Sequence, residues 1–302
     1  MEPSPPAQPF ARARDAIRAI IARDAADPTL ETVAVPRLYE HGQAVEHALV
    51  LFHGFTNCPQ QCDELARRFY TLGCNVYVPR IPGHGRKDRL TRELAGMTTT
   101  ELQDAARDAY LLTAGLGRTV GASGISLGAS LVLWLAQTEP LDLALPVAPF
   151  LMPIGIPRRA GTLVMRVLDL LPDMYWWWDP RVKEQSQPPY AYPGFPTHAL
   201  AECAFLCDAL FRAGRRTAPR ARRCVLVSNH GESAVNNGVA RNLLALWGRT
   251  HSVCREVVLY GLGEPRHDIF DPSTYADART KVYPELEALV LDDVAEGERL
   301  SS

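Results

Sequence analysis

Six short apolar runs recur along the chain, at 48–52, 75–78, 119–122, 141–147, 224–228 and 256–260, each bounded by turn-forming residues. Near-continuous apolarity over so few positions predicts strands buried on both faces, because a strand with one wet face would alternate. Between most of them lie windows with helical spacing, at 60–72, 100–114, 127–137 and 237–248. This alternation predicts an α/β domain with a mainly parallel central sheet covered by helices on both faces.

Two regions stand outside the pattern. Residues 10–23 read as a short helix with Phe10, Ile17, Ile20 and Ile21 on one side and arginines mostly elsewhere. Its apolar face is short, which favours docking on the rim of the core over lying on a membrane surface. The second is 150–220, where no strand is expected while Pro, Trp, Tyr and Phe are dense and Leu200, Cys203, Ala204, Cys207, Leu210 and Phe211 follow helical spacing. The expected organisation is therefore an N-terminal extension with a short helix (1–30), a core formed by 31–149 and 221–302, and an inserted helical cap (150–220).

Composition narrows the classes of function more than it selects one. The 302 residues are 47% hydrophobic and 22% charged, which is ordinary for a globular protein. A formal charge of −2 supplies no field to gather nucleic acid or an anionic bilayer. No apolar run reaches the ~18 residues of a membrane span, and the start of the chain lacks the basic and apolar regions of a secretory signal, so a cytoplasmic location without stable membrane insertion is expected. Seven scattered cysteines fit reduced, buried thiols. Cys58 and Cys62 near His53 have no second ligand pair, and no metal is expected.

The run RTVGASGISLGASLVLWLAQ reads as strand, glycine-rich turn and apolar helix. Its centre, Gly124-Ile125-Ser126-Leu127-Gly128, is a Gly-x-Ser-x-Gly motif in the one context that gives it a mechanism. The serine sits on a tight turn above the sheet, and the following helix aims its N-terminus at the site. Ser126 is thus the expected nucleophile. A second strand ends in His53-Gly54-Phe55, which places the backbone N–H of Phe55 where it can join that of Leu127 as an oxyanion hole. His53 itself reads as a structural residue of that loop, and His84, in Pro82-Gly83-His84-Gly85, as a turn residue with a possible part in shaping the pocket.

Nucleophile, acid and base follow one another in that order along hydrolases of this build. The base is then His267, after the last strand. The acid is expected on the loop after 224–228, where Glu232 is the only carboxylate, with Asp268 and Glu264 as alternatives.

Together, His53-Gly54-Phe55-Thr56, Pro82-Gly83-His84-Gly85, the Ser126 motif, the 232–236 loop and His267 resemble the bacterial carboxylesterase and monoacylglycerol lipase branch of the α/β-hydrolases. The resemblance runs over about 32–290, apart from the inserted region. It implies an α/β-hydrolase fold and a cofactor-free serine hydrolase of medium-chain acyl or monoacylglycerol-like esters. Two departures stand out: Glu232 occupies a place where those esterases usually carry aspartate, and the YWWWDP and YPGFP segments are unlike their short caps.

An apolar lining for the ester's acyl or alkyl part is expected from Phe55 and from cap residues Trp176, Trp177 and Phe205, with Leu163, Val164, Val167, Leu168 and Trp178 as further candidates for lining or for burying the cap. Thioesterase, acyltransferase and haloperoxidase chemistry use the same triad, and a catalytically silent ligand-binding protein could share the fold.

Overall fold

The computed structural model describes residues 9–248, 254–263 and 267–291. Its strands are β1 (Arg37–Tyr39), β2 (Val45–Phe52), β3 (Asn75–Val78), β4 (Gly117–Ile125), β5 (Leu143–Val147), β6 (Tyr175–Trp177), β7 (Gly194–Pro196), β8 (Arg223–Asn229) and β9 (Cys254–Leu259). Seven of them form one sheet in the order β1-β3-β2-β4-β5-β8-β9. Only β1 runs antiparallel to its neighbour, and the remaining pairs are parallel.

Five of the six apolar runs become strands sandwiched between two cores. The sixth, 256–260, expected to be buried on both faces, falls on the edge strand β9. There Val257 and Val258 are only partly buried and Tyr260 is 68% exposed, because among the described residues no further strand covers that side. On β2, Ala48, Val50 and Phe52 enter one cluster while Leu49 and Leu51 enter the other. Successive side chains point to opposite faces, so a strand buried on both sides must be apolar throughout. The helices are α1 (Phe10–Ala25), α2 (Asp63–Thr71), α3 (Thr99–Thr113), α4 (Leu127–Thr138), α5 (Arg158–Leu170), α6 (Thr197–Gly214) and α7 (Asn237–Trp247), with a further helix over 283–291 after a π-helical turn at Ala278–Val282. This is the α/β-hydrolase fold, and no described helix is long and apolar enough to cross a membrane.

The N-terminal helix is docked on the core. Ala13 and Ile17 of α1 are fully buried, and Asp24 at its end meets Arg80 at 2.9 Å with both side chains largely covered.

The stretch between β5 and β8 holds more than helices. β6 and β7 pair antiparallel as a two-stranded ribbon, Trp176 opposite Phe195, which the sequence reading did not anticipate. Three-residue strands are too short to show a period. α6 is built into the main core: Ala199, Ala201, Cys203, Leu206 and Leu210 are fully buried there.

On α5 the orientation differs from expectation. Gly161, Thr162 and Met165 face inward, whereas Leu163, Val164 and Val167 are 65%, 50% and 51% exposed. Among the described residues none of the three belongs to either core cluster. The 3.6-residue period turns them away from the face shared by Gly161, Thr162 and Met165, and the missing side chain of Gly161 lets the helix lie directly on Met152.

Candidate active site

Because β2, β4, β8 and β9 are parallel, the residues that follow them emerge at one edge of the sheet. Those residues include His53 to Thr56, Ser126, Glu232 and His267. The topology alone therefore gathers segments from four parts of the chain at one edge of the sheet, where open α/β sheets place their sites.

Ser126 links β4 to α4 with φ of 58° and ψ of −118°. Positive φ is rare for a side chain with a Cβ and persists only where the surroundings enforce it. Here Ser126 N–H donates to Val147 O at 3.1 Å, and its carbonyl accepts from Ser130 N–H and Phe150 N–H at 3.1 and 3.0 Å. The motif glycines make the turn possible. A Cβ at Gly128 would lie 2.3 Å from Phe52 O and 2.6 Å from His53 O, and one at Gly124 2.7 Å from the Gly128 carbonyl carbon. Strand, turn and helix can approach this closely only without those side chains.

The loop after β2 is held by buried polar groups. His53 Nε2 accepts the Ile81 N–H at 3.1 Å, so Nδ1 carries the proton and donates to Gly54 O at 2.9 Å. Burial, with the His84 ring nearby, holds the His53 pKa well below its ordinary value, and the ring stays neutral. Gly54 N–H donates to Gln61 Oε1 at 2.7 Å. A Cβ on Gly54 would come within 3.4 Å of Ser126 Cβ, so this loop abuts the serine.

Among the described residues the Phe55 N–H has no protein acceptor. Leu127 is the first residue of α4, and no turn of the helix satisfies its N–H. Both amides belong to segments that flank Ser126.

Glu232 and His267 meet at 3.0 Å, Oε1 to Nδ1. The same Oε1 accepts the N–H groups of Ser233, Ala234 and Val235 at 2.9, 2.7 and 3.2 Å. Burial pushes the carboxyl upward, but the imidazole's hydrogen bond and charge and the loop amides outweigh it and leave the pKa below the ordinary glutamate value. Glu232 is ionised at neutral pH. Its loop is stitched to the segment after β5, where Ile154 N–H donates to Ala234 O and Asn236 N–H to Met152 O, both at 2.8 Å. Asn236 also caps α7 by accepting the Gly238 N–H.

Of the alternative acids, Asp268 turns its Oδ1 toward the Phe270 and Asp271 amides, and its pKa is raised by burial. Glu264 lies outside the described residues.

Ser126 Oγ makes no hydrogen bond to His267 or to any other group among the described residues. The structure thus joins Glu232 to His267 and sets Ser126 at the same sheet edge without closing the serine–histidine contact.

The aromatic residues are distributed unevenly. Phe55 is nearly buried against Trp178, Phe195 and the edge of His84. Trp177 packs on Tyr175 within the ribbon, and Trp176 is 41% exposed. Phe205 sits on a groove of about 430 Å³ between α3, α5 and α6, whose lining includes none of Ser126, Glu232 and His267.

Sequence reasoning named Thr56 only as part of the His53-Gly54-Phe55-Thr56 motif and did not single out Gln61 or Tyr192. All three hold this edge together, and a polar residue in a loop carries no local mark of its partner. Cys58 and Cys62 are buried thiols, the first with its pKa pushed up to about 12 by burial.

A family model for the α/β-hydrolase fold matches residues 47–144. A thermostable monoacylglycerol lipase from Bacillus sp. (strain H-257) is 29% identical over 164 residues, covering 52% of this chain and 60% of the relative. This chain thus spans less than two thirds of that relative's length. Among solved structures, one of the metagenome-derived lipolytic enzymes LipS and LipT superposes with a TM-score of 0.63 at 19% identity, over 83% of this chain and 96% of that one. The monoacylglycerol lipase of Paleococcus ferrophilus gives 0.61 at 16% identity, over 83% and 97%. A soluble variant of monoglyceride lipase from Saccharomyces cerevisiae, in complex with a substrate analogue, gives 0.63 at 11% identity, over 85% and 91%. At these identities the structural likeness establishes the fold.

Proposed function

We propose that this chain, an α/β-hydrolase by fold, is a serine hydrolase of carboxylic esters that acts through Ser126, His267 and Glu232. The observation that carries the reading is the contact between Glu232 and His267, 35 positions apart, at the sheet edge where Ser126 is held in a strained turn. A carboxylate on Nδ1 fixes the tautomer that leaves Nε2 free to accept a proton, and it stabilises the imidazolium that follows.

In this reading a small shift of the imidazole or a change of Ser126 rotamer closes the last contact when substrate binds. Ser126 Oγ attacks the ester carbonyl while His267 Nε2 takes its proton. The Phe55 and Leu127 N–H groups receive the oxyanion of the tetrahedral intermediate. The imidazolium returns the proton to the departing alkoxide, leaving an acyl-enzyme, and water activated by His267 releases the acid. No cofactor enters any step.

The substrate class is argued from the surroundings. Phe55, Trp178 and Phe195 form an apolar wall beside the proposed oxyanion hole, suited to an acyl or alkyl chain. With the resemblance to monoacylglycerol lipases, this favours medium-chain acyl or monoacylglycerol-like esters, with the 150–220 insertion as cap. Trp176, Trp177 and Phe205 would add to the lining only if the insertion moves.

The test is Ser126→Ala, which should lower turnover of a p-nitrophenyl ester by roughly 10⁶ and abolish fluorophosphonate labelling. Hydrolysis at an unchanged rate would refute the reading. A p-nitrophenyl series of increasing acyl length tests the substrate class, and a flat profile contradicts it.

A further inference from the structure

The loop that carries Phe55 is strained one residue later. Thr56 has φ of 63°, a conformation that a β-branched residue rarely adopts, and it is 97% covered, at 3% exposure. Something must hold it there, and its partners come from far along the chain. Thr56 Oγ1 donates to Phe55 O at 2.6 Å, which leaves the oxygen's lone pairs to accept the indole N–H of Trp178 at 2.9 Å. Thr56 O accepts the Tyr192 N–H at 2.8 Å.

Both partners belong to the inserted stretch, and both are themselves fixed. Trp178 N–H donates to Pro193 O beside the β6–β7 ribbon, and the indole packs against Phe55 and Phe195. Tyr192 OH bridges Gly83 O and Arg86 N–H at 3.0 and 2.9 Å. The Arg89 guanidinium gathers the carbonyls of Glu184, Gln187, Pro188 and Ala191. The segment between the two ribbon strands is therefore tied through Trp178, Tyr192 and Arg89 to the loops after β2 and β3.

We infer that Trp178 is a positioning residue for the proposed hydrolysis: its indole N–H, through the Thr56 hydroxyl, holds the strained loop that aims the Phe55 N–H at the oxyanion. The inference rests on the serine-hydrolase reading. It makes the placement of the inserted ribbon a determinant of turnover, because a ribbon that lifts away removes the partner of Thr56 and lets the strained residue relax. Phe55 N–H then turns with its peptide neighbour.

The test uses the full chain and p-nitrophenyl butyrate. Trp178→Phe keeps an aromatic ring against Phe55 and Phe195 and removes only the donor. It should lower kcat by about 10–100-fold with little change in KM, a fraction of what full loss of an oxyanion donor costs. Thr56→Val, which removes the acceptor, should do the same, and the double variant should be no worse than either alone. Thr56→Ser keeps the hydroxyl and should stay within about threefold of the parent. A trifluoromethyl ketone, whose adduct places an oxyanion in the hole, should lose affinity in parallel with kcat.

A kcat for Trp178→Phe within twofold of the parent, or losses that multiply in the double variant, would overturn the inference. Should Trp178→Phe not fold, the Thr56→Val and Thr56→Ser pair decides alone, equal kcat values overturning it. Failure of the underlying reading is seen separately, as absence of fluorophosphonate labelling at Ser126 in the parent chain.

Discussion

His84 offers a quantitative test of how this edge of the sheet is built. Its ring is fully buried, Nδ1 lies 2.9 Å from Pro82 O, and Nε2 has no partner among the described residues. Burial lowers its pKa from 6.5 to about 4. The unfolded chain therefore takes up a proton near pH 6.5, while the folded chain does so only near pH 4. Between those values the unfolded state binds more protons, and stability falls as pH drops. At about 1.4 kcal/mol per pH unit the loss from this one ring amounts to about 3 kcal/mol.

Other groups titrate in the same window. His53 is depressed as well and adds with the same sign, whereas the raised carboxyls of Asp268 and Asp271 act in the opposite direction. A single curve would mix them, so the useful quantity is the difference between the parent and His84→Gln. In that difference the carboxyl contributions largely cancel, and the neighbouring His53, whose ring centroid lies 5.2 Å away, changes only by the part of its shift that His84 causes. Urea unfolding followed by tryptophan fluorescence at several pH values supplies it. The stability of the parent relative to the variant should fall by about 3 kcal/mol between pH 7 and pH 4. Parallel curves across that range would show that burial does not hold His84 neutral.

Further tests address the acid and the turn. Glu232→Gln should cut kcat by roughly 10⁴ if the serine-protease template transfers, because the amide cannot stabilise the imidazolium. Asp268→Asn, whose carboxylate turns to loop amides, should cost less than about 10-fold, and steady-state kinetics giving the reverse order would move the acid to Asp268. Gly128→Ala should destabilise by about 3 kcal/mol or more, since the new Cβ meets two backbone carbonyl oxygens at 2.3 and 2.6 Å. Gly96→Ala, in open space, is the matched control, and equal melting temperatures for the two variants would contradict the packing argument.

Much of the arrangement is legible locally. The apolar runs at 48–52, 75–78 and 224–228 became strands because burial on both faces demands continuous apolarity, and the central sheet then had to be largely parallel. Ser126 with Gly124 and Gly128 was readable because a strand, a strained turn and a helix put their steric demands on five consecutive residues. The short strands β1 and β6 were not readable, since three residues cannot display a period. The same limit hid the outward turn of Leu163, Val164 and Val167, because α5 has apolar residues on more than one face and only its packing on Met152 selects which is buried.

By itself, then, the sequence determined the strand–helix alternation and the turn at Ser126, consequences of backbone sterics and periodicity over a few neighbouring residues, while Glu232 and His267 were nominated by the residue order that the resemblance to hydrolases of this fold implies. The tertiary structure decided which carboxylate meets the imidazole and which tryptophan reaches Thr56, at separations of 35 and 122 residues. Such contacts depend on how strands order in the sheet and on which loop lies over which, and that order follows from the packing of the whole core.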